Sequence, residues 1–370
     1  MTIRSIALAI IAMLLSGCGN ADSNTPVVSE KLVSETIVTG LEHPWSLAFL
    51  PNGEMLITER PGRLRRVVNG KLDATPVSGA PKVAVHGQGG MLDIALHPAF
   101  SDNRLVYLSY ALPCANGGNT TAVGRGEYRD GALQNFKQVI ATNACSDKGQ
   151  HYAGRMVFDQ QGYLYLSIGD RGERDRAQNG KDHVGSILRL HDDGRIPQDN
   201  PFVGNADFDD AIWSYGHRNP QGMALHPDGK QIWLHEHGPR GGDEINQVLP
   251  GKNYGWPLVT FGREYYGPKI GVTEMAGIEM PLKQWTPSIA PSGMAFYQGN
   301  AFPQWRGDIF VGALAGQHVA RVRFDGLNEV EEEKLLEGVA RFRDVRVGPD
   351  GFIYLLTDAP NGALLRLKPL

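Results

Sequence analysis

Gly222-Met223-Ala224-Leu225, with Pro227-Asp228-Gly229 close behind, is a short apolar run closed by a turn whose residues supply fixed or positive φ. The same unit recurs five more times. Upstream stand Trp45-Ser46-Leu47-Ala48-Phe49 with Pro51-Asn52-Gly53, Gly90-Met91-Leu92-Asp93-Ile94-Ala95 with His97-Pro98, and Gly154-Arg155-Met156-Val157-Phe158 with Gln161-Gly162. Downstream stand Gly293-Met294-Ala295-Phe296, and Phe342-Arg343-Asp344-Val345 with Pro349-Asp350-Gly351. A second apolar strand follows each turn, and helical periodicity is hardly visible beyond the N-terminus, so the chain reads as all-β. Six units at intervals of roughly 45 to 70 residues suit a six-bladed β-propeller of four-stranded antiparallel sheets, filling residues 36–370 as one domain. Two sandwich domains are the alternative, but no linker-like break in composition follows residue 36. The stretches Leu112 to Ser146 and Gly172 to Phe208 are expected as long insertions on one face, where binding groups concentrate.

Residues 1–17 carry one charge, Arg4, and an apolar run from Ile6 to Leu15 that is too short to span a bilayer but fits a secretory signal. Leu15-Ser16-Gly17-Cys18 resembles a bacterial lipobox, which would leave Cys18 lipidated and the protein anchored rather than spanning. Gly19 after the cysteine favours the periplasmic face of the outer membrane; a soluble periplasmic protein cleaved nearby is the alternative. Residues 18–35 read as a flexible tether. Cys114 and Cys145 then form an even pair in an oxidising compartment, with a disulfide between them or two separate thiols as the possibilities. The 36 Lys and Arg against 40 Asp and Glu, a net charge of −4, include no basic tract, which excludes nucleic acid and points to a small ligand.

The segment His235 to Pro257 is the densest in site chemistry. Gly238, Pro239, Gly241 and Gly242 preclude regular structure and free backbone carbonyls, while Asp243 and Glu244 add hard oxygen anions of the kind calcium takes. His235 and His237 read as packing residues. Elsewhere, polar groups cluster just ahead of the repeated units: Gln88 before Gly89-Gly90, His151 before Gly154, Arg218-Asn219 before Pro220, and Arg341 before Phe342. Equivalent positions in a propeller converge on one end of its channel, so these groups describe one pocket. Arg341 and Arg343, two apart on a strand, point the same way and suit a carboxylate-bearing ligand.

Gly87-Gln88-Gly89-Gly90-Met91-Leu92, Gln150-His151 with Gly154-Arg155, Ile168-Gly169-Asp170, and Gly216-His217-Arg218-Asn219-Pro220-Gln221-Gly222 follow one another in a set order. Gly238-Pro239 with Asp243-Glu244-Ile245-Asn246, Asn253-Tyr254-Gly255-Trp256-Pro257, the stretch Trp285 to Gly293, and Arg341-Phe342-Arg343-Asp344-Val345 complete the set. From about residue 33 to the end the chain resembles the soluble glucose/sorbosone dehydrogenases, and within them the aldose sugar dehydrogenases dependent on pyrroloquinoline quinone (PQQ). The resemblance implies a propeller with PQQ across the channel mouth, an aldose substrate, a separate electron acceptor, and a monomer or homodimer. It implies His151 as general base positioned by Asp170, Arg218 as the cation at the quinone carbonyl, and Gln88, Asn219, Arg341 and Arg343 as further cofactor contacts. Gly238 and Pro239 correspond to carbonyl ligands of an active-site Ca2+, Glu244 and Tyr254 to ligands of a structural Ca2+, and Trp285 to an aromatic wall beside the sugar. Glucose-oxidising members place a lysine on the cofactor where this chain has Ala315, with Gln317 or His318 as stand-ins; losing one charged contact costs about 1.5 to 3 kcal/mol.

Two other functions fit a propeller of this kind. A calcium-dependent lactonase needs no arginines in the channel, whereas Arg218, Arg341 and Arg343 stand together here. A non-catalytic envelope scaffold needs no clustered titratable groups.

Overall fold

The computed structural model describes residues Leu32–Leu370; the expected signal, Cys18 and the tether up to Lys31 lie outside them. The described residues form six four-stranded antiparallel sheets, and six strands in contact round a ring surround the axis: Pro44–Phe49, Met91–Leu96, Ala153–Phe158, Pro220–Leu225, Pro291–Phe296 and Phe342–Val347. Each holds one of the repeated sequence units. Among the described residues helix is confined to Phe100–Asn103 and two single turns, Arg174–Gln178 and Pro303–Trp305.

The ring closes through its ends. Leu32–Leu41 is the outermost strand of the sixth blade, pairing antiparallel with Gly362–Pro369 from Leu32↔Pro369 to Leu41↔Gly362. Residues 32–35, assigned to the tether, are strand in the propeller. The apolar clusters lie in the seams: Tyr107 and Val123 of the second blade pack with Leu164, Leu166 and Leu188 of the third. Both faces of the second strands are covered in this way, so Leu164–Ile168 is buried throughout and reads as an unbroken apolar run.

A repeated hydroxyl clasp ties neighbouring blades. At equivalent positions of the second strand, Thr58 donates to Leu92 O (2.6 Å), Ser109 to Gly154 O (2.6 Å) and Ser167 to Pro220 O (3.0 Å), each on the innermost strand of the next blade. In the fifth blade this position is Gly312. A Cβ there would lie 2.8 Å from Ser292 Oγ and 3.0 Å from Phe342 O, and it is Ser292 that donates to Phe342 O instead (2.6 Å). In the fourth blade the position is His235, whose ring fills the space beside Gly222; a Cβ on Gly222 would sit 2.0 Å from Nε2.

Charge closes the axis. Asp93 Oδ1 accepts from Arg155 (2.9 Å), Arg346 (3.0 Å) and Ser46 (2.5 Å), and its Oδ2 accepts the Met156 N–H (2.7 Å). Asp344 pairs with Arg155 (3.1 Å) and Arg346 (2.9 Å) and accepts the Leu47 N–H (3.1 Å). Four blades are thereby joined through a network of paired buried ions.

One expectation is corrected. Residues 112–146 are not an insertion: Asn119–Arg129 and Ala132–Ala141 are the long outer strands of the second blade. The last of these exposes most of its side chains, so its composition looks like a loop. Most of residues 172–208 is loop, on either side of Ser186–Leu190, and a further long excursion is 249–282, between the third and fourth strands of the fourth blade.

Candidate active site

First strands begin, and second strands end, at the same end of an antiparallel blade, so residues flanking those points gather at one mouth. His151 stands two residues ahead of Ala153–Phe158 in a left-handed conformation (φ 52°), and Asp170 two residues beyond Leu164–Ile168. His151 Nδ1 lies 2.6 Å from Asp170 Oδ1, which fixes the tautomer and turns Nε2 away from the carboxylate. Asp170 is held in turn by the Gly172 N–H (2.7 Å) and the Trp256 indole N–H (2.8 Å). Gln88 Oε1 accepts the His151 N–H (2.8 Å), and Asp170 N–H donates to Arg218 O (2.7 Å). Gln88, His151, Asp170, Arg218 and Asn219 thus form one connected group.

His151 and Arg218 line a cavity of about 160 Å³ that also takes in Asp170, Arg174, Trp256 and Tyr265. Burial pushes the His151 imidazole below its ordinary value, helped by the Arg218 and Arg171 charges and opposed by Asp170. Burial works to raise the Asp170 carboxyl, but the His151 hydrogen bond and the Arg218 charge outweigh it and leave it below the usual range. The pair at neutral pH is a neutral imidazole beside an ionised carboxylate, the state a general base requires.

Two other histidine–carboxylate pairs share this end, His217–Glu236 (2.9 Å) and His43–Asp358 (3.2 Å). His217 is fully enclosed with its second nitrogen 3.0 Å from Ser214 Oγ, and neither pair lines the cavity with Arg218. Asp358 also binds Arg343 (3.0 Å) and Arg341 (3.5 Å), confirming that the two arginines face the same way. Arg343 reaches across to Gln221 Oε1 of the fourth blade (2.7 Å). Sequence reading missed Asp358 and Glu236. Aligned copies of the repeat carry the signal, because Glu59, Asp170, Glu236 and Asp358 all stand where a second strand ends.

Residues 41–366 match the family described as Glucose / Sorbosone dehydrogenase. The chain belongs to the glucose/sorbosone dehydrogenase family. It is 46% identical over 342 residues to aldose sugar dehydrogenase YliI of Escherichia coli, covering 90% of this chain and 92% of that one. It superposes with TM-score 0.88 on the apo-form soluble aldose sugar dehydrogenase of Escherichia coli (44% identity, 92% of this chain, 100% of that one). A PQQ-bound aldose sugar dehydrogenase from Streptomyces coelicolor gives TM-score 0.74 at 27% identity, covering 92% of this chain and 99% of that one.

The polar atoms of this glucose/sorbosone dehydrogenase family member fit the quinone. Asn219 is 1% exposed with neither amide atom hydrogen-bonded, and Arg218 Nε is likewise buried without a partner. Buried polar groups are seldom left so, and a ligand rich in carbonyl and carboxylate oxygens would satisfy them. The lysine position is different: Ala315 is exposed, and His318 is buried with Nδ1 turned to Gly316 O (2.9 Å), so only Gln317 faces outward as a stand-in.

A second, smaller space, with room for about one water-sized sphere (~10 Å³), is bounded by Glu236, Gly238, Glu244 and Tyr254. Glu236 and Glu244 are directly opposed on neighbouring strands, an arrangement that repels unless a cation or a proton intervenes. Burial, and next the Glu236 charge, raises the Glu244 carboxyl well above its ordinary range. These hard oxygens fit calcium. Tyr254 commits its hydroxyl to Gln247 O (2.5 Å), so any ligand role falls to its carbonyl. Among the described residues no three His, Cys, Asp or Glu side chains are placed to hold a metal, so backbone oxygens must complete any site.

Three residues of the His235–Pro257 segment make further contacts at the site. Gly238 O accepts from Arg218 Nη1 (2.9 Å), while the Pro239 ring lines the His151 cavity. Asp243 is pushed up to about 6 by burial, yet its oxygens accept from Gly238 N, Ser288 Oγ, Ile289 N and Ala290 N, which makes it a loop brace. Trp285 is not in the cavity: it packs in the seam between the fourth and fifth blades, and its indole N–H donates to Glu332 (2.8 Å). The expected sugar wall is corrected on that ground, and Trp256 and Tyr265 are the aromatic residues that line the cavity. Cys114 and Cys145 are joined in a disulfide that closes the outer edge of the second blade.

Proposed function

We propose that this chain oxidises the anomeric carbon of aldose sugars to the lactone, with PQQ and Ca2+ as cofactors. The observation that carries the reading is the single cavity holding a neutral, carboxylate-oriented His151 beside the Arg218 charge. The names of the relatives from Escherichia coli and Streptomyces coelicolor support it. The quinone, when bound, supplies a two-electron acceptor for the anomeric hydride. His151 Nε2 takes the proton of the anomeric hydroxyl, and Asp170 stabilises the imidazolium that forms. Arg218 sets a fixed positive charge where negative charge would grow on the acceptor, and Asn219, Gln88, Arg341 and Arg343 hold the acceptor's polar edges. The carbonyls of Gly238 and Pro239 would hold an active-site calcium, and Glu244 with the Tyr254 carbonyl would hold a structural one.

Titration calorimetry with PQQ in the presence of calcium tests this reading: binding is expected, and its absence would leave a non-catalytic scaffold. Export and lipidation at Cys18 belong to the same proposal; no helix among the described residues is long and apolar enough to cross a membrane. Mass spectrometry of the mature N-terminus should find diacylglycerol on Cys18, and an unmodified later N-terminus would contradict it.

Asp170→Asn separates orientation from acidity. The carboxylate raises the His151 pKa, so its loss moves the acid limb of the kcat profile to lower pH, while the misoriented ring lowers the plateau by about 10² to 10⁴. A fall in the plateau with the acid limb moved upward would refute the assignment.

A further inference from the structure

We infer that Arg174, Glu264 and Tyr265 form the subsite that grips the sugar away from its reacting carbon. This rests on the dehydrogenase reading above. All three line the cavity that holds His151, although they come from two loops distant in sequence. Arg174 opens the short turn after Asp170, while Glu264 and Tyr265 sit on a small hairpin within 249–282, closed by Glu264 N–H to Pro268 O (2.8 Å) and by pairing of Arg263 with Lys269. The two loops meet through a bidentate pair, Arg174 Nη1 to Glu264 Oε1 (2.6 Å) and Nη2 to Oε2 (3.3 Å).

Of the other polar side chains that line the cavity, Asp170 and Arg218 are largely engaged, whereas the Gln150 amide makes no hydrogen bond. Asp170 is saturated by His151, Gly172 and Trp256, and Arg218 Nη1 binds the carbonyls of His237 (3.0 Å) and Gly238 (2.9 Å). The Arg174–Glu264 fork keeps free both N–H donors and carboxylate lone pairs, which is what adjacent hydroxyls of a neutral sugar need in order to donate and accept together. Tyr265 adds the apolar surface. Among the described residues, Tyr265 and Tyr266 are the only phenylalanine, tyrosine or tryptophan side chains left exposed, at 68% and 81%. A ring face set beside a hydroxyl-binding fork is the arrangement that packs against the C–H face of a pyranose. Tyr266, its neighbour, does not line the cavity and serves as the internal control.

Steady-state kinetics of the holoenzyme on an aldose decide the matter. Glu264→Gln, Arg174→Gln and Tyr265→Ala should each raise KM tenfold or more and change kcat by less than threefold, with PQQ affinity and melting temperature as in the wild type. Tyr266→Ala should leave both constants unchanged. Unchanged KM in the first three variants, or a loss confined to kcat, would overturn the subsite while leaving the dehydrogenase intact. A wild-type holoenzyme that turns over no aldose would overturn the dehydrogenase reading, and the subsite with it.

Discussion

His151→Ala and His151→Asn should each lower kcat on aldoses by about 10² to 10⁴, the contribution of a positioned general base, while PQQ still binds. Both variants are needed because His151 sits at φ 52°, a conformation that asparagine adopts more readily than alanine. Alanine therefore risks a local backbone change that would lower activity for a reason unrelated to the proton. Asparagine keeps the turn and a polar side chain but offers no basic nitrogen. Equal losses in the two assign the effect to the missing base. The burial that lowers the His151 pKa keeps the imidazole neutral below the ordinary histidine range, so wild-type activity should persist into mildly acidic solution and fall only as pH drops through that depressed value. A rate within tenfold of wild type for His151→Asn would remove His151 from the chemistry.

Asp93→Ala should destabilise the propeller by about 3 to 5 kcal/mol, measured as the shift in the urea unfolding curve. Asp93 is completely buried, and removing its carboxylate strips partners from Arg155, Arg346, Ser46 and the Met156 N–H together. The Arg155 guanidinium, fully buried and stacked 4.3 Å over the Trp45 ring, would keep the Gln221 carbonyl and, as its one carboxylate, the Asp344 that it shares with Arg346. Breaking a buried ion network on one side leaves an under-compensated charge, which costs far more than the network contributes relative to an apolar core. The double variant Asp93→Leu/Arg155→Met should accordingly recover part of the loss. A cost below 1 kcal/mol for Asp93→Ala would mean that the axis is held by the apolar seams alone.

The innermost strands are legible in the sequence because each is short, apolar and followed by a Pro, Asn, Asp or Gly turn, and because six copies leave few architectures able to place them. The N-terminal boundary is less legible. Residues 32–35, Leu-Val-Ser-Glu, directly follow a polar stretch, and the strand they form pairs with the C-terminal strand far away in sequence. Ala132–Ala141 is hidden for a related reason, since an outermost strand with one wet face lacks a continuous apolar run. Within the site, His151, Arg218, Asn219 and Gln88 are legible because they stand just ahead of the repeated strands, where the topology brings distant loops together, whereas Asp170 is reached only through the family resemblance. Asp358 and Glu236 are not legible, because a single carboxylate at a strand end looks like any surface acid until its histidine or arginine partner is seen. Trp285 shows the opposite failure: an aromatic residue read as a binding wall is claimed by Glu332 and the blade seam. The fork of Arg174 and Glu264 joins positions 90 residues apart and has no local signature.

Reduction of an artificial dye by the purified protein, reconstituted with PQQ and calcium and supplied with an aldose, tests the dehydrogenase reading most directly. The expected result is reduction that requires all three of quinone, calcium and sugar, with the lactone as product. Quinone binding without any sugar-dependent dye reduction, across a panel of aldoses, would contradict it.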